Sequence, residues 1–314
     1  MPLPACFQGT LRLPAIAAPM FIVSGPELVI ACCQAGVAGS LPSLNARPAS
    51  QLEEWLTQID AARDAAGAQF APHGINLILH ASNTRLEEDL AMVVRHKVPF
   101  VVTSLGHPGK VIEAVHGYGG VVFSDVIHAQ HARKAAAAGV DGIIAIAGGA
   151  GGHAGTQNPF SLIREIREFW DGCLVLGGAI SDGYGIRAAE VLGADLAYVG
   201  TRFIATAESR ADPAYKQMLC SASAQDIVYT DAISGANANF LAPSLAAAGY
   251  SPELLTATAD KAKLKDLASE AKAWRDVWSA GHGVANIHDT PGAAGLIARL
   301  REEYVQACQR PAVA

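Results

Sequence analysis

One histidine, His153, stands in the run IAGGAGGHAG (residues 146–155), where five of ten positions are glycine and strongly apolar sequence comes before it. An unperturbed imidazole titrates near pH ~6.5, so a histidine in such a place can take up or release a proton near neutrality. Backbone so free of side chains has two readings: a flexible connection that happens to contain His153, or a surface that something flat or anionic approaches closely. No HxxH, HxH or carboxylate stands near His153, so a metal centre is not expected there. Two glycine-containing pairs, Gly177–Gly178 and Gly200–Thr201, offer a second kind of chemistry. Glycine has no Cβ to keep an oxygen from the backbone amide, so bare N–H groups at these places can bind phosphate. The same residues also suit tight strand-to-helix turns.

These residues need a scaffold that brings them together, and the chain alternates short β-rich runs with helical ones. Strands are expected over AIAAPM (15–20), GVAGSLPSL (36–44), GINLILH (74–80), PFVVTSL (99–105), GVVFSDV (120–126), VDGIIAIAG (140–148), CLVLGGA (173–179) and ADLAYVGTRF (194–203). Helices are expected over the intervening runs, among them PELVIACCQAG, SNTRLEEDLAMVVRHK with Ser82 as its cap, and DGYGIRAAEVLG with Ser181 or Asp182 as its cap. Several strands are unbroken apolar runs, the mark of parallel strands buried on both faces. Eight strand–helix units in about 200 residues predict an α/β fold, a (β/α)8 TIM barrel. A doubly wound sheet is the competitor, but no GxGxxG follows the first strand. Barrels place function in the loops after the C-terminal strand ends. Here those loops carry Pro19 and Met20, Asn76, Asp125, the glycine run with His153, Gly177–Gly178 and Gly200–Thr201. The two glycine pairs follow strands seven and eight, where barrels commonly bind phosphate.

The alternation stops after Arg202–Phe203. Residues 212–275 are expected to form an inserted, mainly helical cap or substrate domain that ends in the charged helix DKAKLKDLASEAKAWRDVW. Residues 1–211 and 276–314 then make the barrel, with TPGAAGLIARLREEYVQAC closing it as the last helix. At 314 residues, 51% hydrophobic and 17% charged, the chain can bury a large core. A net charge of −6 with scattered Lys and Arg argues against nucleic acid as a partner. No apolar run approaches the ~20 residues that span a bilayer, and MPLPACFQGTLRLP lacks the pattern of a secretory signal. A soluble cytoplasmic protein with no membrane partner is expected. The six cysteines show no CxxC spacing and read as buried thiols, Cys32 and Cys33 as packing residues. His96, His116, His128 and His131 fall on helices or helix ends and read as solvated.

The elements AAPMFIVSGPELVIACCQAGVAGSLPSLNARP, GINL, GGHAG, LVLGGAISDG, VGTRF and WSAGHG follow one another in this order along almost the whole chain. Together they resemble the FMN-dependent nitronate monooxygenase family, formerly called 2-nitropropane dioxygenases. The resemblance implies a barrel with an inserted helical domain, FMN as cofactor, and oxidation of alkyl nitronates or nitroalkanes with O2 to carbonyl compounds and nitrite. It implies that Pro19 and Met20 lie along the isoalloxazine edge and that Asn76 hydrogen-bonds the flavin; the residue alone reads equally as a turn or strand-capping amide. Gly151 would let the flavin approach, Gly178, Gly200 and Thr201 would hold the phosphate, and His153 matches the catalytic histidine. Related flavoproteins that reduce quinones or enoyl thioesters with NAD(P)H share most of these elements and are the alternative. A flavin-free phosphate-binding barrel and a silent ligand-binding module are further readings. The chain also departs from its relatives. Ile146 and Gly149 stand where relatives often carry polar or acidic residues, and Asp125 stands where some place Lys. Asp125 then bonds ribityl hydroxyls or caps the helix beginning near His128. Trp278 either shapes the substrate cavity or packs as a core aromatic, and pairing into a homodimer is compatible with the cap.

Overall fold

A computed structural model describes residues 3–233, 235–251 and 277–310. Eight parallel strands close a barrel: β1 (Ala15–Ala17), β2 (Ala38–Pro42), β3 (His73–Ile78), β4 (Phe100–Ser104), β5 (Val121–Val126), β6 (Gly142–Ile146), β8 (Cys173–Gly177) and β9 (Leu196–Val199). Strand β9 pairs back onto β1, with Tyr198 opposite Ile16, and this seals the ring. A two-residue strand, β7 (Gly152–His153), lies outside it. Strands such as FVVTS and CLVLG are buried along their length because one face meets the barrel interior and the other meets helices.

The helices are α1 (Pro26–Ala35), α2 (Ser50–Ala66), α3 (Leu86–Arg95), α4 (Gly109–His116), α5 (Ala129–Ala138), α6 (Pro159–Arg167) and α7 (Gly183–Leu192). Their punctuation is local. Asn158 and Asp182 accept backbone N–H bonds at the starts of α6 and α7, and Gly139 and Gly193 end α5 and α7 in the left-handed region. After β9 come α8 (Thr201–Ile204), α9 (Pro213–Ser221), strands β10 (Ile227–Thr230) and β11 (Ala238–Leu241), α10 (Ala242–Ala247), and finally α11 (Ala293–Cys308). Helix α11 packs against α7 and α1, the slot of the last barrel helix. The approach is close: a Cβ on Gly183 would lie 2.2 Å from the Tyr304 amide nitrogen.

The barrel interior is filled at its N-terminal end. Phe7, from the segment before β1, packs tilted against Phe100 and stacked on Phe123 with ring centroids 5.2 and 5.7 Å apart, and Ile16, Ile144, Val175 and Leu196 join this cluster. That end offers no room for a ligand, so the open C-terminal end must carry any site.

Several details differ from the sequence reading. The eighth strand stops at Val199, and Thr201–Ile204 is a turn of helix rather than strand. Ser82 does not cap α3, which begins only at Leu86; its hydroxyl instead lies 2.8 Å from His80 Nδ1 in the preceding turn. His96 is not solvated: Nδ1 meets Asp60 at 2.6 Å and Nε2 meets Glu53 at 3.2 Å. Within the expected cap, the described residues include the strands β10 and β11 beside helices α9 and α10, and β10, β11 and β7 form one small sheet. Most of the expected charged helix, residues 260–276, lies outside the described residues. No helix among the described residues is long and apolar enough to cross a membrane.

Candidate active site

A cavity of about 1490 Å³ opens at the C-terminal ends of the strands, larger than the ~300–1,000 Å³ of a usual small-molecule site. Pro19, Met20, Asn76, Asp125, Gly151, His153, Gly177, Gly178, Gly200 and Thr201 all line it. They come from the ends of β1, β3, β5, β6, β8 and β9 and from β7, so barrel closure alone gathers residues up to 182 positions apart.

The glycine run is held rather than loose. Strand β7 pairs antiparallel with β11, His153 opposite Ala238 and Gly152 opposite Asn239. Asn239, buried on β11, donates Nδ2 to the Ala150 carbonyl at 2.6 Å, and Tyr229 on β10 donates its hydroxyl to the Ala154 carbonyl at 3.2 Å. From the opposite side, the His282 amide donates to the Gly149 carbonyl at 2.9 Å, and the Gly281 amide donates to Thr201 Oγ1 at 3.0 Å. These bonds fix His153 at the cavity wall, where burial holds its imidazole below the ordinary range. The ring is therefore neutral at pH 7 and able to accept a proton.

The clasp also gives Gly151 a role different from the expected one. A Cβ there would meet the Gly281 nitrogen at 2.9 Å and Thr201 Oγ1 at 3.0 Å, so close backbone packing requires the glycine. On the facing segment, a Cβ at Gly281 would fall 2.4 Å from the Gly149 carbonyl oxygen. Gly281→Ala is accordingly expected to lower the unfolding free energy by about 1–3 kcal/mol, read as a lower urea midpoint. An unchanged midpoint would mean that the two segments do not pack in this way.

Gly200 is the contrasting case. A Cβ added there would meet no atom of the chain nearer than 3.7 Å, so internal packing does not demand a glycine. The space left open belongs to the cavity, and the backbone of Gly200 and Thr201 borders it. Gly178, at φ +137°, turns the chain at the end of β8. Asp182 caps α7 by accepting from the Gly185 amide at 2.7 Å, which puts a carboxylate at that helix start. An anion is therefore better served by the turns at 177–179 and 200–201 than by α7 itself.

Asn76 is buried and donates Nδ2 to the Val102 carbonyl at 3.2 Å and to Ser104 Oγ at 2.8 Å, which leaves Oδ1 for a ligand. Asp125 does not cap α5, because His128 Nδ1 accepts from the His131 amide there. The Asp125 carboxylate instead accepts from Ser104 Oγ at 2.6 Å on the cavity wall. Trp278 does both things expected of it: it lines the cavity and stacks on Tyr215 with centroids 5.0 Å apart.

Asn45 was invisible to sequence reasoning. Its Oδ1 accepts from the Ile22 amide at 2.8 Å, and its Nδ2 donates to the Met20 and Ser24 carbonyls at 2.9 and 2.8 Å. These bonds hold the Met20–Ser24 loop and keep the β-branched Ile22 at φ +67°, a conformation that costs about 1–3 kcal/mol elsewhere. Asn239 was missed for the same reason, since its partner lies 89 residues away. The extended character of NANFL was its only signal.

A family model described as nitronate monooxygenase matches residues 73–303. A nitronate monooxygenase of Paraburkholderia phytofirmans is 36% identical over 145 residues, 44% of this chain and 39% of that protein. The chain spans between 22% and 60% of the curated relatives it matches. Among solved structures, a nitroalkane oxidase from Streptomyces ansochromogenes superposes with a TM-score of 0.80 at 25% identity, covering 97% of this chain and 99% of that one. FabK from Thermotoga maritima superposes with a TM-score of 0.79 at 25% identity, covering 95% and 94%. With the match running from β3 into α11 and the closed barrel common to both, the chain belongs to the nitronate monooxygenase family.

Proposed function

We propose that the protein is an FMN-dependent oxidoreductase that oxidises alkyl nitronates or nitroalkanes with O2 to carbonyl compounds and nitrite, with His153 as the base. The carrying observation is a single cavity that joins the backbone of Gly178 and the open backbone at Gly200–Thr201 to a neutral imidazole half-buried in its wall. The residues present fit a flavin mononucleotide. The cradle at Gly200 that a Cβ would fill suits a phosphate bound by amides. Met20 is fixed by Ser24 and Asn45 beside Pro19 along the cavity wall, and Asn76 Oδ1 can accept a ring N–H or a ribityl hydroxyl. The bound flavin supplies the two-electron redox chemistry that no side chain here provides.

The chain's own residues bind, orient and move a proton. A nitroalkane reaching His153 gives up its α-proton to the imidazole nitrogen, and the positive ring then faces the nitronate oxygens. A nitronate supplied ready-made needs no such transfer. Trp278, stacked on Tyr215, forms an apolar side of the cavity that limits water around the reacting carbon.

The purified protein should be yellow and release FMN on denaturation, and it should consume oxygen with a nitronate. A colourless protein that cannot be loaded with FMN would end this reading. The alternative, an NAD(P)H-dependent reductase of quinones or enoyl thioesters, draws on the likeness to FabK. Anaerobic mixing with NADH separates the two: rapid bleaching of the flavin, with NADH consumed against a quinone and no oxygen uptake with nitronate, would favour the reductase.

A further inference from the structure

Asp125 is a carboxylate on the cavity wall that this chemistry leaves unused. It ends β5 half-buried, and its carboxylate accepts from Ser104 Oγ at 2.6 Å. That hydroxyl in turn accepts from Asn76 Nδ2 at 2.8 Å, so a one-way chain runs from β3 through β4 and terminates on Asp125. From β9, Tyr198 faces the same wall, and its phenol is driven far above its usual range by burial and by the Asp125 charge, so it stays protonated. His131 and Lys134 reach the cavity from α5, and neutral His153 from β7. No lysine or arginine among the described residues pairs with Asp125. Burial therefore lifts the carboxyl to about 6, and the Ser104 bond only partly opposes this.

We propose that Asp125 is a proton-exchanging group tied to the electron content of the flavin in this cavity: ionised beside the oxidised ring, and binding one solvent proton when the ring is reduced. The inference rests on the proposed function, which sets Asn76, the head of the chain ending on Asp125, against the ring. Two electrons added to the ring bring negative charge next to a carboxylate that has no counter-cation, in a wall where charges interact more strongly than in water. Proton binding removes the repulsion. By reciprocity, the ionised carboxylate makes the ring harder to reduce. The electrons come from the nitronate, or from dithionite in a titration. The new O–H bond joins a solvent proton to a carboxylate oxygen, and reoxidation by O2 returns that proton to solvent. A lysine at this place would supply a fixed positive charge; Asp125 supplies a charge that switches.

The test is the midpoint potential of the FMN-loaded protein, measured against reference dyes between about pH 5 and about pH 8. The potentials of the parent and of Asp125→Asn should coincide near pH 5 and separate above about pH 6, with the parent the lower. The parent should also take up more protons on reduction at pH 7, by as much as one per flavin. Asn is isosteric and can still accept from Ser104. Ser104→Ala keeps the carboxyl but removes the bond that lowers it, so the separation should begin at higher pH. Parallel curves for parent and Asp125→Asn, or an unmoved separation in Ser104→Ala, would overturn the proposal while leaving a yellow, active enzyme. A protein that cannot be loaded with FMN would overturn both readings together.

Discussion

Replacing His153 by alanine is expected to slow oxidation of a neutral nitroalkane by ~10²–10⁴-fold, while oxidation of the preformed nitronate stays within about tenfold of the parent. The difference follows from what the imidazole does. Removal of the α-proton is required only when the substrate arrives protonated. A base at that step contributes through its position and its neutral form, and β7 supplies both. Pairing with β11 and the Asn239 bond to Ala150 lie in the backbone and in β11, so truncating the side chain leaves them intact. Flavin content should therefore be unchanged. The pH profile carries a second signature. Burial sets the imidazole below its ordinary range, so the proton-accepting form persists to lower pH than in a free histidine. Nitroalkane turnover in the parent should fall only below about pH 6.5 as the ring protonates, and this inflection should vanish in His153→Ala. Equal losses on nitroalkane and nitronate would remove the proton-abstraction role and leave His153 as a group that merely shapes the site.

The barrel was legible because its strands are apolar runs at regular spacing, and a parallel strand buried on both faces has no polar residues to blur the signal. Strand ends were less legible. ADLAYVGTRF reads as one β-rich run, yet Gly200 breaks the ladder and the next four residues coil into α8. The gathering of His153 with Gly178, Gly200 and Asn76 at one mouth followed from the strand order. What holds them there did not. Strand β7 has only two residues and exists because β11, 85 positions on, pairs with it; no local pattern can announce such an element. Asn45, Asn239 and Ser104 are ordinary in sequence and acquire meaning only through partners far along the chain. The glycine run reads in sequence as room for a flat or anionic ligand, yet Gly151 within it is glycine because the 280–283 segment leaves no space for a Cβ; the glycine with open space beside it is Gly200, outside that run.

The barrel should lose stability in mild acid through one residue remote from the cavity, His73, and His73→Leu should suppress much of that loss. His73 opens β3 at the closed end of the barrel, fully buried, and neither ring nitrogen meets a hydrogen-bond partner. Burial pushes its imidazole down to about 4; the nearby Asp60 charge opposes this, and Arg63 and His96 reinforce it. The folded value lies below that of the unfolded chain, so the unfolded state binds a proton that the folded state refuses. Stability is thus unaffected above about pH 6.5, falls as pH drops from there, and levels off below about pH 4, for a total near 3 kcal/mol. Leucine at this position has no proton to bind and removes two unsatisfied buried nitrogens, each of which costs about 1–3 kcal/mol. Urea unfolding of both proteins at pH 7.5 and at pH 4.5 reads the difference. The Glu53, Asp60 and His96 cluster is present in each, so its own titration largely cancels in the comparison. His73→Leu should match or exceed the parent at the higher pH, and its advantage should widen at the lower one. If the two midpoints fall in parallel, His73 is not the group that acid attacks, and its ring must have found partners or solvent inside the fold.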